Sequence, residues 1–132
     1  MSEPAGIPAD IIEQLTAIAA RMAASSKGER PTEAAVVATT QQKALDLLMH
    51  ARIPGSEHRQ VYAMTMTGHF VANRHGPRGV APEGSVKTVL LSTDTFRASD
   101  TSIGDMDHRA LLPQLGPVTI LQIPAQPLEE ES

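Results

Sequence analysis

The sequence has no cysteine and no tryptophan, and only three aromatic residues, Tyr62, Phe70 and Phe96. Without cysteine there are no disulfides, no thiol catalysis and no thiolate-held metal. With three aromatic rings there is little to anchor a large protein interface or to stack unpaired bases. The core must be built from Leu, Ile, Val, Met and Ala. A basic excess is also missing: the formal net charge is −4. Phosphate contacts supply most nucleic-acid affinity, so nucleic acid is not an expected partner, and neither is an anionic membrane surface. No apolar run approaches the roughly 18 residues of a membrane span.

What is present is ordinary globular material. The 132 residues, 41% hydrophobic and 20% charged, suit a single domain over 1–132, with flexible ends at 1–7 and 124–132. Met1 to Pro8 lacks the basic region and apolar run of a signal peptide, so the expected compartment is the cytoplasm. A chain whose signal had been replaced by Met1 would read the same.

Pro8, Asp10 and Glu13 suit the start of a helix. Ile11, Leu15, Ile18 and Met22, widened by Ile12 and Ala19, form its apolar stripe, and Gly28 suits a C-cap. A second helix is expected from Pro31, with Thr32 as N-cap. Ala34, Val37, Ala38, Gln41, Ala44, Leu45, Leu48 and Met49 fall on one face, up to the stop at Ile53-Pro54-Gly55. The run Val36 to Thr40 is rich in β-branched residues, which disfavour helix slightly.

The period then becomes two. Over Val61 to Val71, Tyr62, Met64, Met66 and Phe70 share one face, and Thr65, Thr67 and His69 share the other, expected to be exposed. Gly68 suits a bulge. Further strands are expected at Val86 to Thr93 (central, from its Val89-Leu90-Leu91 core), at Phe96 to Ile103 (near an edge) and at Val118 to Ile123. Asp107 to Leu112 reads as a helical turn capped by Asp107. This order predicts an α+β fold: two N-terminal helices on one face of a four-stranded antiparallel sheet. Met64, Met66, Leu90, Ile120, Leu15 and Leu48 are the expected core.

Ala44-Leu45-Asp46-Leu47-Leu48 running into Ile53-Pro54-Gly55, then Val61 to Gly68, Val86 to Thr95 and Phe96 to Asp100, resembles the helix and three-stranded meander of PepSY-type domains. The resemblance covers about 60 residues. It implies a non-enzymatic regulatory or inhibitory domain, of a kind often appended to extracytoplasmic proteins, and brings no catalytic residues with it.

Three polar groupings are candidates for chemistry. His69, Arg74, His75 and Arg78 sit on a strand end and the Gly- and Pro-rich loop after it. Guanidinium and imidazole groups so close together suit an anionic ligand, and the plainer reading is a solvated loop. Asp100, Asp105, Asp107 and His108 have metal-ligand chemistry but not the spacing of a calcium loop. His50 and His58 flank the Pro54-Gly55 turn with nothing else in support. No Gly-x-Ser-x-Gly elbow or phosphate loop occurs, and no cofactor or metal site is expected. The sequence therefore favours a non-catalytic, uncharacterised interaction module, regulatory or inhibitory, acting on an unknown protein partner through its sheet or sheet edge. Its charge-free last strand adds the expectation of a homodimer. The alternative is a small-ligand (anion) binding protein or modest enzyme built on the His69–Arg78 loop.

Overall fold

A computed structural model describes residues 7–24, 26, 31–51, 54–71 and 83–123. Its elements are helix α1 (Ala9–Ala23), strand β1 (Glu33–Thr40), helix α2 (Gln41–Ala44), a π turn (Leu45–Met49) and a 3-10 turn (Ser56–His58). Strands β2 (Gln60–Val71), β3 (Glu83–Ser92) and β4 (Ala98–Gly104) follow, then helix α3 (His108–Leu111), a second 3-10 turn (Leu112–Gln114) and strand β5 (Thr119–Gln122). The fold is α+β. Among the described residues the sheet has five antiparallel strands, ordered β4-β3-β2-β1-β5.

The first half of the expected second helix is strand β1, while its second half, Gln41–Ala44 and Leu45–Met49, is helical. Pairing with β2 on one side and β5 on the other places β1 inside the sheet. Ala34 to Val37 are all buried, so their side chains are covered on both faces. A strand buried on both faces has no polar alternation, and its continuous apolar run fits a helical spacing by accident. The β-branched stretch Val36 to Thr40 was the opposing signal, and it prevailed. Thr32 accordingly precedes a strand and caps no helix. Helix begins only at Gln41, where the Thr40 hydroxyl accepts from the Lys43 amide at 3.3 Å.

The expected one-sided cover is two-sided. The inner face of α1 (Leu15, Ala19, Ala23) packs with Val36, Met64, Met66, Phe70, Val89, Leu91 and Leu121 on one side of the sheet. On the other, α2, the π turn and the turn after α3 supply Ala44, Leu45, Leu48 and Leu112 against Val37, Val61, Ala63 and Leu90. Each fully buried Leu or Met stabilises the fold by roughly 1.5–3 kcal/mol, so two such layers suffice with Phe70 as the one fully buried aromatic side chain among the described residues. Thr65, expected on an exposed face, is buried (2% exposed) because that face is covered, while Thr67 and His69 beyond the cover are exposed.

The remaining strands lie where the sequence placed them. Tyr62, Met64, Met66 and Phe70 do face one side, and the β2–β3 register shifts between Thr67 and Phe70, at Gly68. β3 is interior and β4 is an edge. Asp107 caps α3, its Oδ1 accepting from the Ala110 amide at 3.3 Å. Of the expected core, Met64, Met66, Leu90, Leu15 and Leu48 are buried, but Ile120 is 38% exposed. β5 is the other edge strand, and it turns Leu121 and Ile123 into the α1 layer instead. At the β3–β4 turn Phe96 takes a left-handed conformation (φ 59) and stacks on Tyr62, with ring centroids 6.2 Å apart. The stacking offsets part of the roughly 1–2 kcal/mol such a backbone costs a residue with a Cβ.

Candidate functional site

Of the loop grouping, His69 alone is described; Arg74, His75 and Arg78 lie outside the described residues. His69 Nε2 is 2.7 Å from Glu83 Oε2 across the β2–β3 pair, with both side chains about half exposed. This imidazole is engaged by a carboxylate.

The acidic grouping is dispersed. Asp100 Oδ2 accepts from the Gln41 side-chain amide at 2.8 Å and from the Ser99 hydroxyl at 2.9 Å, fastening α2 to β4. Asp105 Oδ1 accepts from the Ser85 amide at 3.0 Å and its hydroxyl at 3.1 Å. Asp107 is occupied as a cap. Among the described residues no three His, Asp or Glu side chains converge as a metal group.

His108 is different. It is buried at the start of α3, where Asp107 sets the turn that aims it at the sheet. Its Nδ1 is 2.6 Å from Thr88 Oγ1. Thr88 Oγ1 donates to Thr65 Oγ1 at 2.8 Å, and Thr65 Oγ1 donates to the Lys87 carbonyl at 3.3 Å. Thr65 and Thr88 are directly opposed in the β2–β3 register, so the sheet itself builds the pair. Burial holds the His108 pKa below the ordinary imidazole value. The Leu48 carbonyl and Asp107 pull it up, and His50 pushes it down.

His50 and His108 line one surface cavity of about 480 Å³, between the π turn, β4 and the segment leading into α3. Met49 and Met106 line it too. His50 ends the π turn in a left-handed conformation (φ 51, ψ 45). His58, the expected companion of His50, lines a separate groove with Arg59, Ser92 and Asp94. The structure thus separates the histidines that neighbour each other in sequence and joins His50 to His108. The available signal was the recurrence of Met beside His, at Met49-His50 and Met106-Asp107-His108.

The edge strand β5 is the second feature. The Ile123 amide donates to the Thr32 carbonyl at 2.9 Å, in register with the pairs Ala34–Leu121 and Val36–Thr119. Antiparallel pairs alternate between bonded and non-bonded, so Thr119, Leu121 and Ile123 direct their backbone groups to β1. Ile120 and Gln122 direct theirs outward. Val118 to Ile123 carries no charge, and Pro117 and Pro124 bound it in the sequence. The opposite edge, β4, is guarded by a register irregularity between Leu90 and Leu91 and by Asp100.

No protein-family model, curated protein or solved structure matches the chain. No helix among the described residues is long and apolar enough to cross a membrane.

Proposed function

We propose that this protein is a non-catalytic interaction module, regulatory or inhibitory, that works through the free edge of β5 and pairs there with a second copy of itself. The carrying observation is the outward backbone pattern of Ile120 and Gln122 on an uncharged edge strand. The central strands are covered on both faces, which leaves the edge as the surface where added strands gain hydrogen bonds. Two copies related by a two-fold axis at Leu121 place Ile120 opposite the Gln122 of the mate. Both outward amides and both outward carbonyls of each copy are then satisfied. At such an axis a residue meets its own counterpart, and a charge would repel itself; β5 has none. The half-exposed Ile120 side chain gains cover in the same step. The resemblance to PepSY-type domains supports a regulatory reading.

Sedimentation equilibrium over a wide concentration range tests this. The expected species has twice the 14.0 kDa mass of the chain. Ile120→Pro removes an amide that points away from β1, so it should leave the fold intact and abolish the dimer. A 14.0 kDa species at the highest concentration of the unmodified chain overturns the proposal.

A further inference from the structure

We propose that His108 is a pH-operated latch: neutral, it holds α3 to the π turn, and protonated, it opens the cavity between them while its anchor on the sheet stays made. The inference is independent of the β5 edge and rests on a different part of the molecule.

The cover on this face of the sheet is assembled from two segments far apart in sequence, the π turn and α3 with the turn after it. His108 sits where they meet. Its Nδ1 is 2.6 Å from Thr88 Oγ1 on β3, and the Leu48 carbonyl of the π turn bonds to the ring. One buried imidazole thus ties three parts of the molecule together. The other polar ties of α3 among the described residues do not reach the π turn. The Asp107 cap is internal to α3, and the Arg109–Glu33 ion pair, 2.8 Å long, runs to β1 between partly exposed side chains.

The neighbours of the ring decide what a proton does. A carbonyl only accepts, so in the neutral ring the one N–H serves Leu48, and Nδ1 accepts from the Thr88 hydroxyl. In the charged ring Nδ1 carries a proton too and must donate. Thr88 can accept it by turning its own hydrogen to Thr65 at 2.8 Å, which turns its own to the Lys87 carbonyl at 3.3 Å. The sheet anchor therefore survives protonation. What changes is the charge. His50, on the π turn and on the wall of the same cavity, opposes it, and Asp107, at the start of α3, favours it. The charged ring is drawn to its own helix and pushed from the π turn, and water from the cavity can replace the Leu48 carbonyl. His50 also ends the π turn in a left-handed conformation (φ 51), which a residue with a Cβ adopts at a cost, so that end gains by relaxing. The other charged groups around the junction are engaged elsewhere. Asp105 accepts from the Ser85 amide and hydroxyl, Asp46 from Gln42, and Asp100 from Gln41, while the Lys87 ammonium lies over the Phe70 ring. Burial is the largest influence on the ring and keeps it neutral, so the latch is shut above the ordinary imidazole range and opens as pH falls below it.

The test is NMR of the full chain from about pH 7.5 to about pH 5, following the histidine rings and the backbone amides. The His108 ring should titrate, and the amides of the π turn and α3 should shift with the same midpoint while those of α1 hold still. The Ala51 and Ala110 amides, bonded to the Leu45 carbonyl and Asp107, should lose at least about tenfold in exchange protection, corrected for the intrinsic effect of pH, before α1 loses any. Two variants on the cavity side test the charges. His50→Asn, which tolerates left-handed backbone, should raise the His108 midpoint and reduce the π-turn shifts; Asp107→Asn, which keeps a capping oxygen, should lower the midpoint. A His108 ring that titrates while the π turn stays closed overturns the proposal. So does a ring that takes up its proton only as α1 unfolds, or a His108 midpoint that His50→Asn leaves in place.

Discussion

Thr88→Val is the sharpest test of the buried hydroxyl chain. Thr88 is fully buried and lies opposite Thr65. Valine matches its shape and its strand preference, so the substitution removes one oxygen and little else. That oxygen lies 2.6 Å from His108 Nδ1 and 2.8 Å from Thr65 Oγ1. Without it, the buried His108 Nδ1 loses its hydrogen-bond partner, at a cost of about 1–3 kcal/mol. Thr65 still has the Lys87 carbonyl, so its own loss is the smaller part. The added methyl regains somewhat under 1 kcal/mol. The net expectation is a loss of about 1–3 kcal/mol, or very roughly 3–12 °C in melting temperature for a chain of this length. Urea denaturation followed by circular dichroism, at one fixed chain concentration because the proposed self-association would be linked to stability, measures it. His108→Leu and the double variant complete a cycle, in which a coupling of about 0.5–3 kcal/mol is expected. A Thr88→Val protein that unfolds at the original or a higher midpoint would refute the chain as a stabilising element.

Leu48→Ala opens the core on the π-turn side, where Leu48 packs with Leu45, Val61 and Leu112, and should cost about 2–5 kcal/mol by the same assay. Gly84→Ala would drive a Cβ into the backbone of Gly104 and should cost about 1–3 kcal/mol, whereas Gly104→Ala meets open space and should lie within about 0.5 kcal/mol of the original. His108 carries a pH signature. Its folded pKa is lowered by burial, against the pull of the Leu48 carbonyl and Asp107 and with the push of His50. The unfolded chain therefore binds the proton first as pH falls, so this contribution is full above the ordinary imidazole range and is lost as pH drops through it. Denaturation midpoints between pH 7.5 and about 5 should show a slope that His108→Leu flattens; an unchanged slope would assign the titration elsewhere.

The strands from Val61 onward were legible because each leaves a local mark. β2 alternates over ten residues, Gly68 marks the bulge, and Asp107 stands where a short helix needs a cap. β1 left no such mark. Its four central residues are buried on both faces, and apolar residues at every position satisfy helix and strand templates alike. The candidate sites fared less well. Thr65 was assigned to an exposed face because the cover over it is assembled from a π turn and two short helical segments, none long enough to show an amphipathic period. Ile120 was assigned to the core because the alternation of a four-residue strand does not say which of its faces is the covered one.

By itself, the sequence determined the fold class, the central place of Val89-Leu90-Leu91, the capped turn at Asp107 and the uncharged character of the last strand, since propensity, periodicity and charge are properties of neighbouring residues. The tertiary structure alone decided that β5 crosses to pair with β1 and so becomes an edge, and that Thr65, Thr88 and His108 form one hydrogen-bonded chain. It also decided that His50 belongs with His108 and not with His58. These are contacts between segments far apart along the chain. Their energy comes from burial and pairing after the sheet has closed, and no local spacing of residues encodes it.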